Sequence, residues 1–250
     1  MKTFILPLLL FLIVGFGLPV KKKIKIFLAG DSTIAIKETK AFPETGWGMP
    51  FVHFWDSTVS VVNRAKNGRS TKSFMQEGLW KSITDEAGEG DYVFIQFGHN
   101  DEVATKKTYT TETEFKNYLV QYIQESRNKK AIPVLITPVA RRKFDSLANS
   151  VGTHNVYAQI VRDVANTEAV PLIDLDKIAQ QLYQQMGEEK SKLLFNYLAP
   201  GEHPNYPEGK KDDTHFNELG ARKIAEIVLA EIRKLLPELA ESIYVPIAKK

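Results

Sequence analysis

The sequence predicts one α/β domain, a three-layer α/β/α sandwich around a five-stranded parallel sheet. Short runs of β-branched and aromatic residues alternate along the chain with longer amphipathic segments, which is typical of parallel sheets covered by helices. No internal repeat, low-complexity tract or Pro/Gly/Ser-rich linker divides the chain. Its 250 residues, 43% of them hydrophobic, are enough for one large domain with a substantial core.

The five predicted strands are short apolar runs. They comprise residues 24–29, 59–62, 92–97, 132–137 and 170–175. Two longer segments, residues 112–128 and 217–236, carry apolar residues every three or four positions and are predicted to be amphipathic helices. A flavodoxin-like strand order of 2-1-3-4-5 is expected, because it brings the carboxyl ends of the first three strands together.

Residues 186–212 interrupt this alternation with repeated Pro and Gly and show little periodicity. Long loops in compact domains are usually functional or disordered, and the aromatic residues here argue against disorder. We expect this loop to form a lip over the functional site. A loop packed only for coverage is the alternative.

The N-terminus resembles a signal peptide. Lys2 precedes an uncharged apolar run, residues 4–18, which is shorter than the ~20 residues of a membrane span. We therefore predict a signal peptide in residues 1–20, one folded domain in residues 21–250, and a secreted or periplasmic protein. An uncleaved membrane anchor is the alternative, since residues 17–20 form a poor cleavage site.

Charge and cysteine content narrow the classes of function. Thirty-three Lys and Arg against 30 Asp and Glu give a net charge of +3, which is too even to indicate a nucleic-acid partner. The absence of Cys excludes disulfides, thiolate zinc sites, iron–sulfur clusters and cysteine nucleophiles. Neither a dinucleotide-binding nor a P-loop glycine signature is present. No cofactor, metal or stable protein partner is predicted.

Polar residues follow the first three predicted strands. The blocks are Gly30-Asp31-Ser32-Thr33, Asn67-Gly68-Arg69-Ser70 and Gly98-His99-Asn100-Asp101. Ligands bind at the carboxyl ends of the strands in such sheets, and a hydroxyl with nearby hydrogen-bond donors suits acyl transfer. Taken singly, Ser32 has an alternative interpretation as a helix N-cap, and Asn100 as an Asx-turn residue.

A general base for Ser32 is predicted at His215. Asp212, three residues earlier, can reach Nδ1 of His215 across one turn and leave Nε2 free to take the serine proton. We assign Asp212 as the orienting carboxylate. The neighbouring Asp213 is the rival, because adjacent residues point in different directions.

These blocks, in this order, resemble those of the SGNH, or GDSL-type, hydrolases. The matching residues are Gly30-Asp31-Ser32, Gly68, Gly98-x-Asn100-Asp101 and Asp212-x-x-His215. Further blocks are similar to the rhamnogalacturonan acetylesterase branch: Gly46-Trp47-Gly48, Asn67-Gly68-Arg69-Ser70, Thr137-Pro138-Val139-Ala140-Arg141-Arg142 and Asp213-Thr214-His215-Phe216. The resemblance implies that Ser32 is the nucleophile and that residues 21–250 form an SGNH hydrolase domain. It also implies an oxyanion hole made of the backbone N–H groups of Ser32 and Gly68 and the side-chain amide of Asn100.

The same resemblance implies a secreted serine esterase that removes acetyl groups from a polysaccharide, with pectic rhamnogalacturonan as the expected substrate. Arg69, Arg141 and Arg142 are expected to bind uronate carboxylates, and Trp47 to stack on a sugar ring. Ordinary ion pairs and core packing are the alternatives for these residues. An esterase of the same superfamily acting on acetylated xylan, another sugar or a lipid is the alternative activity, and a non-catalytic carbohydrate-binding module is the alternative from another class.

Overall fold

The sheet has the predicted architecture. The computed structural model describes residues 23–245, so the predicted signal peptide lies outside the described residues. Five parallel strands pair in the order β2-β1-β3-β4-β5, which confirms the predicted fold class and strand order. The strands are β1 Ile24–Gly30, β2 Val59–Asn63, β3 Tyr92–Gln96, β4 Ile132–Ile136 and β5 Leu172–Ile173.

Helices cover both faces of the sheet. They are α1 Gly48–Phe51, α2 Thr71–Gln76, α3 Leu79–Thr84, α4 Glu112–Asn128, α5 Asn155–Thr167, α6 Leu175–Ser191, α7 Glu218–Leu235 and α8 Pro237–Ala240. Three short 3-10 turns occupy Thr39–Ala41, Val52–Phe54 and Lys192–Leu194. The two helices predicted from periodicity are α4 and α7, which confirms both segments to within one residue at each end.

Two apolar cores lie on opposite faces because successive strand side chains point to opposite sides. Phe27 and Val93 pack in the core that contains residues of α2, α3, α4 and α5. Leu28 and Phe94 pack in the core that contains residues of α1, α6, α7 and α8. All four side chains are fully buried, so the central strands are fixed from both sides.

Strand β5 is shorter than predicted. Pro171 has no N–H to donate to the ladder, and α6 already begins at Leu175, so only two residues remain in strand geometry. The predicted loop also begins later than residue 186. Helix α6 continues to Ser191 across a kink at Gly187, where φ is 76°, and the irregular segment therefore starts near residue 195.

The irregular segment is held against the rest of the protein. Phe195 is fully buried in the core beside Phe216. Asn205 donates to the carbonyls of Thr39 and Phe42, at 2.7 and 2.9 Å. These contacts fix the loop on the turn that follows β1.

Within residues 23–245, no helix is long and apolar enough to cross a membrane.

Candidate active site

Ser32 lies in the turn that leaves β1. Gly30 is required there, because a Cβ on it would lie 2.4 Å from the Ile34 side chain and 2.8 Å from the Gln96 carbonyl oxygen. Asp31 is fully buried and accepts hydrogen bonds from the N–H and Oγ1 of Thr33, at 2.9 and 2.8 Å. Burial raises the pKa of Asp31, although these hydrogen bonds oppose the effect. The turn is thus rigid, while Ser32 keeps 8% of its surface exposed.

The structure brings Ser32, His215 and Asp212 together. Nε2 of His215 lies 3.1 Å from Oγ of Ser32, and Nδ1 lies 2.9 Å from Oδ2 of Asp212. The other carboxylate oxygen of Asp212 accepts the backbone N–H groups of Thr214 and His215, at 2.8 and 2.9 Å. Residues 183 positions apart in the chain therefore meet at the carboxyl edge of the sheet.

Asp212 is the carboxylate that faces the imidazole. Burial alone would raise the pKa of Asp212, but the hydrogen bonds from the ring and backbone of His215 lower it far below its usual value. An ionised Asp212 favours the tautomer with the proton on Nδ1, which leaves Nε2 as an acceptor facing the Ser32 hydroxyl. The geometry suits a serine nucleophile with a histidine base, and the catalytic roles themselves stay a prediction.

Asp213 points away from the imidazole and makes a different contact. Its Oδ1 accepts hydrogen bonds from Nη1 of Arg142 and from Oη of Tyr197, both at 2.7 Å. Arg142 is 7% exposed, and its guanidinium also donates to the Glu188 carbonyl and the Ser191 hydroxyl. Arg142 therefore anchors the segment that carries His215.

Gly68 and Asn100, the predicted oxyanion donors, lie in the segments that follow β2 and β3. Gly68 has φ of 77°, a conformation that other residues adopt only with strain, and its exposed face is open. The Asn100 amide donates to the Arg69 carbonyl at 3.1 Å and accepts from Nζ of Lys106 at 3.0 Å. A lysine ammonium has no acceptor and a carbonyl has no donor, so both contacts fix the same amide orientation. One N–H of Asn100 is left for a ligand.

The predicted substrate contact of Trp47 is wrong. Trp47 is fully buried, and its indole N–H donates to Oε1 of Gln96 at 3.0 Å. The predicted contact of Arg142 is also wrong, because its side chain is only 6% exposed and its guanidinium donates to Asp213, Glu188 and Ser191 inside the protein. In both cases the side chain belongs to the interior, where a polymer has no access.

Arg69 and Arg141 are accessible at the edge of the site. Their side chains are 27% and 31% exposed, and each pairs with one carboxylate, Glu77 at 2.8 Å and Glu102 at 3.3 Å. Arg141 also donates to the carbonyl of His99, directly before Asn100. Both side chains therefore lie beside the predicted oxyanion donors Gly68 and Asn100, and their contact with substrate stays a prediction.

A buried ion pair beside the site was not predicted from the sequence. Lys37, with a fully buried side chain, places Nζ 2.6 Å from Oε1 of Glu44. The same Oε1 lies 3.9 Å from Nε2 of His215. No motif marks Lys37 or Glu44. The nearest signal is Gly46, where a Cβ would lie 2.2 Å from the Ala35 carbonyl, so that only glycine lets this segment pack against the turn after β1.

Asp101 is a second buried carboxylate, next to Asn100. Its Oδ1 accepts the N–H and Oγ1 of Thr71, at 2.9 and 2.6 Å, and Oγ1 of Thr110 at 2.8 Å. Burial raises the pKa of Asp101 to about 7. This carboxyl group joins the start of α2 to the block that carries Asn100.

Comparison with known proteins identifies the family. The model of the GDSL-like Lipase/Acylhydrolase family matches residues 28–223. The chain belongs to the GDSL-like lipase/acylhydrolase family. It is accordingly a carboxylic ester hydrolase. Within the described residues 23–245, no group of three or more His, Asp or Glu side chains is placed to hold a metal ion.

Relatives within the GDSL-like family place the chain more finely. It is 41% identical to rhamnogalacturonan acetylesterase RhgT of Bacillus subtilis (strain 168) over 216 residues, which are 86% of this chain and 92% of that protein. It is 37% identical to the probable rhamnogalacturonan acetylesterase YesY of the same organism over 222 residues, 87% of this chain and 96% of that protein. The predicted superfamily and its rhamnogalacturonan acetylesterase branch are confirmed.

Solved structures share the fold. The crystal structure of YxiM from Bacillus subtilis superposes with a TM-score of 0.73 at 27% identity, covering 85% of this chain and 57% of that chain. A mutant of Axe2, an acetylxylan esterase from Geobacillus stearothermophilus, superposes with a TM-score of 0.60 at 14% identity, covering 86% and 96%. The second likeness bears on the fold alone.

Proposed function

We propose that this GDSL-family enzyme is a secreted serine esterase that removes acetyl groups from an acetylated polysaccharide, with pectic rhamnogalacturonan as its substrate. The observation that carries the proposal is the continuous chain of hydrogen bonds from Oγ of Ser32 through His215 to Asp212. The 41% identity to a named rhamnogalacturonan acetylesterase supports the choice of substrate. The apolar run in residues 4–18 supports export.

In the proposed mechanism, Oγ of Ser32 attacks the acetyl carbonyl while its proton passes to Nε2 of His215. Asp212 stabilises the resulting imidazolium, and the backbone N–H groups of Ser32 and Gly68 and the side-chain amide of Asn100 hold the oxyanion. The sugar alcohol leaves with the proton from Nε2, which produces an acetyl-enzyme. Water then repeats the sequence and releases acetate.

Arg69 and Arg141 support an acidic polymer as substrate. A guanidinium binds a carboxylate in a bidentate manner, and both side chains are partly exposed beside the predicted oxyanion block. Each is already paired with one carboxylate, and because both pairs are partly exposed to water, a uronate can compete for the guanidinium. The buried Arg142 does not take part.

Acetate release from a panel of acetylated polysaccharides tests the proposal. We expect the purified enzyme to release acetate fastest from acetylated rhamnogalacturonan, and to prefer acetyl over long-chain acyl esters. Ser32→Ala and His215→Ala are expected to abolish release while the thermal unfolding midpoint stays near the wild-type value. Rates that rise with acyl chain length would instead support a lipid substrate. Equal release by folded Ser32→Ala would refute the nucleophile.

A further inference from the structure

The ammonium group of Lys37 is fully engaged at the centre of the site. Its Nζ lies 2.5 Å from the Ser32 carbonyl oxygen, 2.9 Å from Oδ1 of Asn67 and 2.6 Å from Oε1 of Glu44. A lysine ammonium has three donors, and here each has one acceptor. A buried, saturated cation of this kind has a fixed position, so Glu44 is also fixed.

Glu44 presents a carboxylate oxygen to the reacting side of His215. Oε1 of Glu44 lies 3.9 Å from Nε2 of His215, and the same nitrogen lies 3.1 Å from Oγ of Ser32. The side chain of Glu44 is 11% exposed, so a small part of it is in contact with solvent water. The distance is too long for a hydrogen bond between the two atoms, and it leaves room for a bridging water.

The separation of 3.9 Å fits one water molecule that donates to both atoms. Two acceptors about 2.8 Å from a water oxygen lie about 4.4 Å apart when both protons point straight at them, and closing the gap to 3.9 Å bends each bond by less than ~10°. A carboxylate oxygen has two lone pairs, so Oε1 can accept from Lys37 and from this water.

We propose that Glu44, held in place by Lys37, orients the water that hydrolyses the acetyl-enzyme, an inference that rests on the proposed function. The water oxygen attacks the acetyl carbon while one proton passes to Nε2 of His215 and the other stays on the oxygen, bonded to Glu44. The bond between the acetyl carbon and Oγ of Ser32 then breaks, and Oγ takes the proton from Nε2. Acetic acid and free enzyme result.

The effect is specific to this half of the reaction. The alcohol oxygen that leaves during acylation carries a carbon substituent in place of the second hydrogen, so it has no proton to donate to Glu44. Glu44 therefore accelerates attack by water without accelerating formation of the acetyl-enzyme. A carboxylate that only stabilised the imidazolium or the fold would affect both steps alike.

The test compares water with methanol as acceptors for the acetyl group, with 4-nitrophenyl acetate as donor. Methanol has a single hydroxyl proton, so its attack gains nothing from Glu44. In Glu44→Met, the ratio of methyl acetate to acetate is expected to rise at least about tenfold, the lower end of the range for a hydrogen bond to a charged group. Glu44→Gln, which keeps an oxygen for Lys37, is expected to show a smaller rise. The ratio does not depend on how much of the sample is folded.

Rapid-mixing measurements provide the second readout. The initial release of nitrophenolate is expected to keep its rate in Glu44→Gln, while acetyl-enzyme accumulates because its hydrolysis is slower. Glu38→Met is the matched control, since Glu38 lies on the same segment, its side chain is 75% exposed, and it forms an ion pair with the similarly exposed Lys40 at the surface.

An unchanged methanol-to-water ratio in Glu44→Met would overturn the inference and leave the proposed function intact. Equal slowing of acetylation and deacetylation would also overturn it, because it would indicate a role in both steps. If the wild type releases no more nitrophenolate than Ser32→Ala, the proposed function fails and the inference fails with it.

Discussion

Raising the pH from 5 to 8 is expected to destabilise the protein by about 2 to 3 kcal/mol through Asp101 alone. The carboxyl group is fully buried, and its Oδ2 has no hydrogen-bond partner within residues 23–245. Burial raises its pKa from the ordinary value of 3.8 to about 7. Between these values the folded state holds a proton that the unfolded state has lost, so stability falls as the pH rises.

The magnitude follows from linkage. Each pH unit between the unfolded and folded pKa values costs about 1.4 kcal/mol of stability. Within the interval from pH 5 to pH 8, only the part below the folded pKa of about 7 counts, which is about two pH units. Above pH 7 the group ionises in both states and the loss levels off. Burial also shifts the pKa values of Asp31 and His99. Burial lowers the pKa of His99 well below its usual value, which has the opposite effect, so the Asp101 contribution must be isolated by mutation.

The Asp101→Asn variant isolates the contribution of Asp101 to the pH dependence of stability. The variant keeps the oxygen that accepts from Thr71 and Thr110 but has no proton to lose. We expect the free energy of unfolding of the wild type minus that of the variant, measured by urea titration, to fall by about 2 to 3 kcal/mol from pH 5 to pH 8. Asp85→Asn, at a carboxylate with 57% side-chain exposure, should give a constant difference. A constant difference for Asp101→Asn as well would refute the reasoning.

The remaining predictions concern the catalytic site. Asp212→Asn should lower kcat by roughly 10⁴-fold because the wrong imidazole tautomer is favoured. Asp213→Asn should retain most of kcat. Equal losses of kcat in steady-state assays would contradict the assignment of Asp212 as the orienting carboxylate. Asn100→Ala should cost about 3 kcal/mol of transition-state stabilisation. Lys106→Met should lower kcat several-fold at unchanged KM, whereas the control Lys107→Met, one residue further on, should match the wild type. Turnover should persist in EDTA, because side chains supply both the base and the oxyanion donors; activity lost in EDTA and restored by a metal would contradict this.

The elements that sequence patterns predict well are those fixed by local chemistry. Apolar β-branched runs and the helical periodicity of α4 and α7 gave correct elements because burial on one or both faces dictates the pattern. The predicted range of β5 is too long because Pro171 and the start of α6 limit the strand. Neither limit is visible in the hydrophobicity of the sequence. Family resemblance, added to the position of the blocks at strand ends, located Ser32 and His215.

The errors concern side chains whose exposure depends on tertiary packing. Trp47 and Arg142 lie in motif blocks, yet Trp47 packs in the core and Arg142 is buried and donates to internal acceptors. Exposure of a large or charged side chain is set by what lies opposite it in the fold, which a single sequence does not record. The pair of Lys37 and Glu44 escaped prediction for the same reason, since its contacts join segments that meet only after folding.

His215 comes from a loop outside the sheet, and its position is fixed by several independent contacts. Its carbonyl accepts the N–H of Asn196 at 3.0 Å, and the carbonyl of Phe216 accepts the N–H of Thr45 at 2.8 Å. Asn217 then caps α7 through the Gly220 N–H. On the N-terminal side, the carbonyl of Asp213 accepts the N–H of Arg142 at 2.8 Å. Since these bonds hold the backbone on both sides of His215, the imidazole has no need to reorganise when the serine proton arrives. A loop of this kind achieves the precision of a strand end because neighbouring segments, and not its own secondary structure, supply the rigidity.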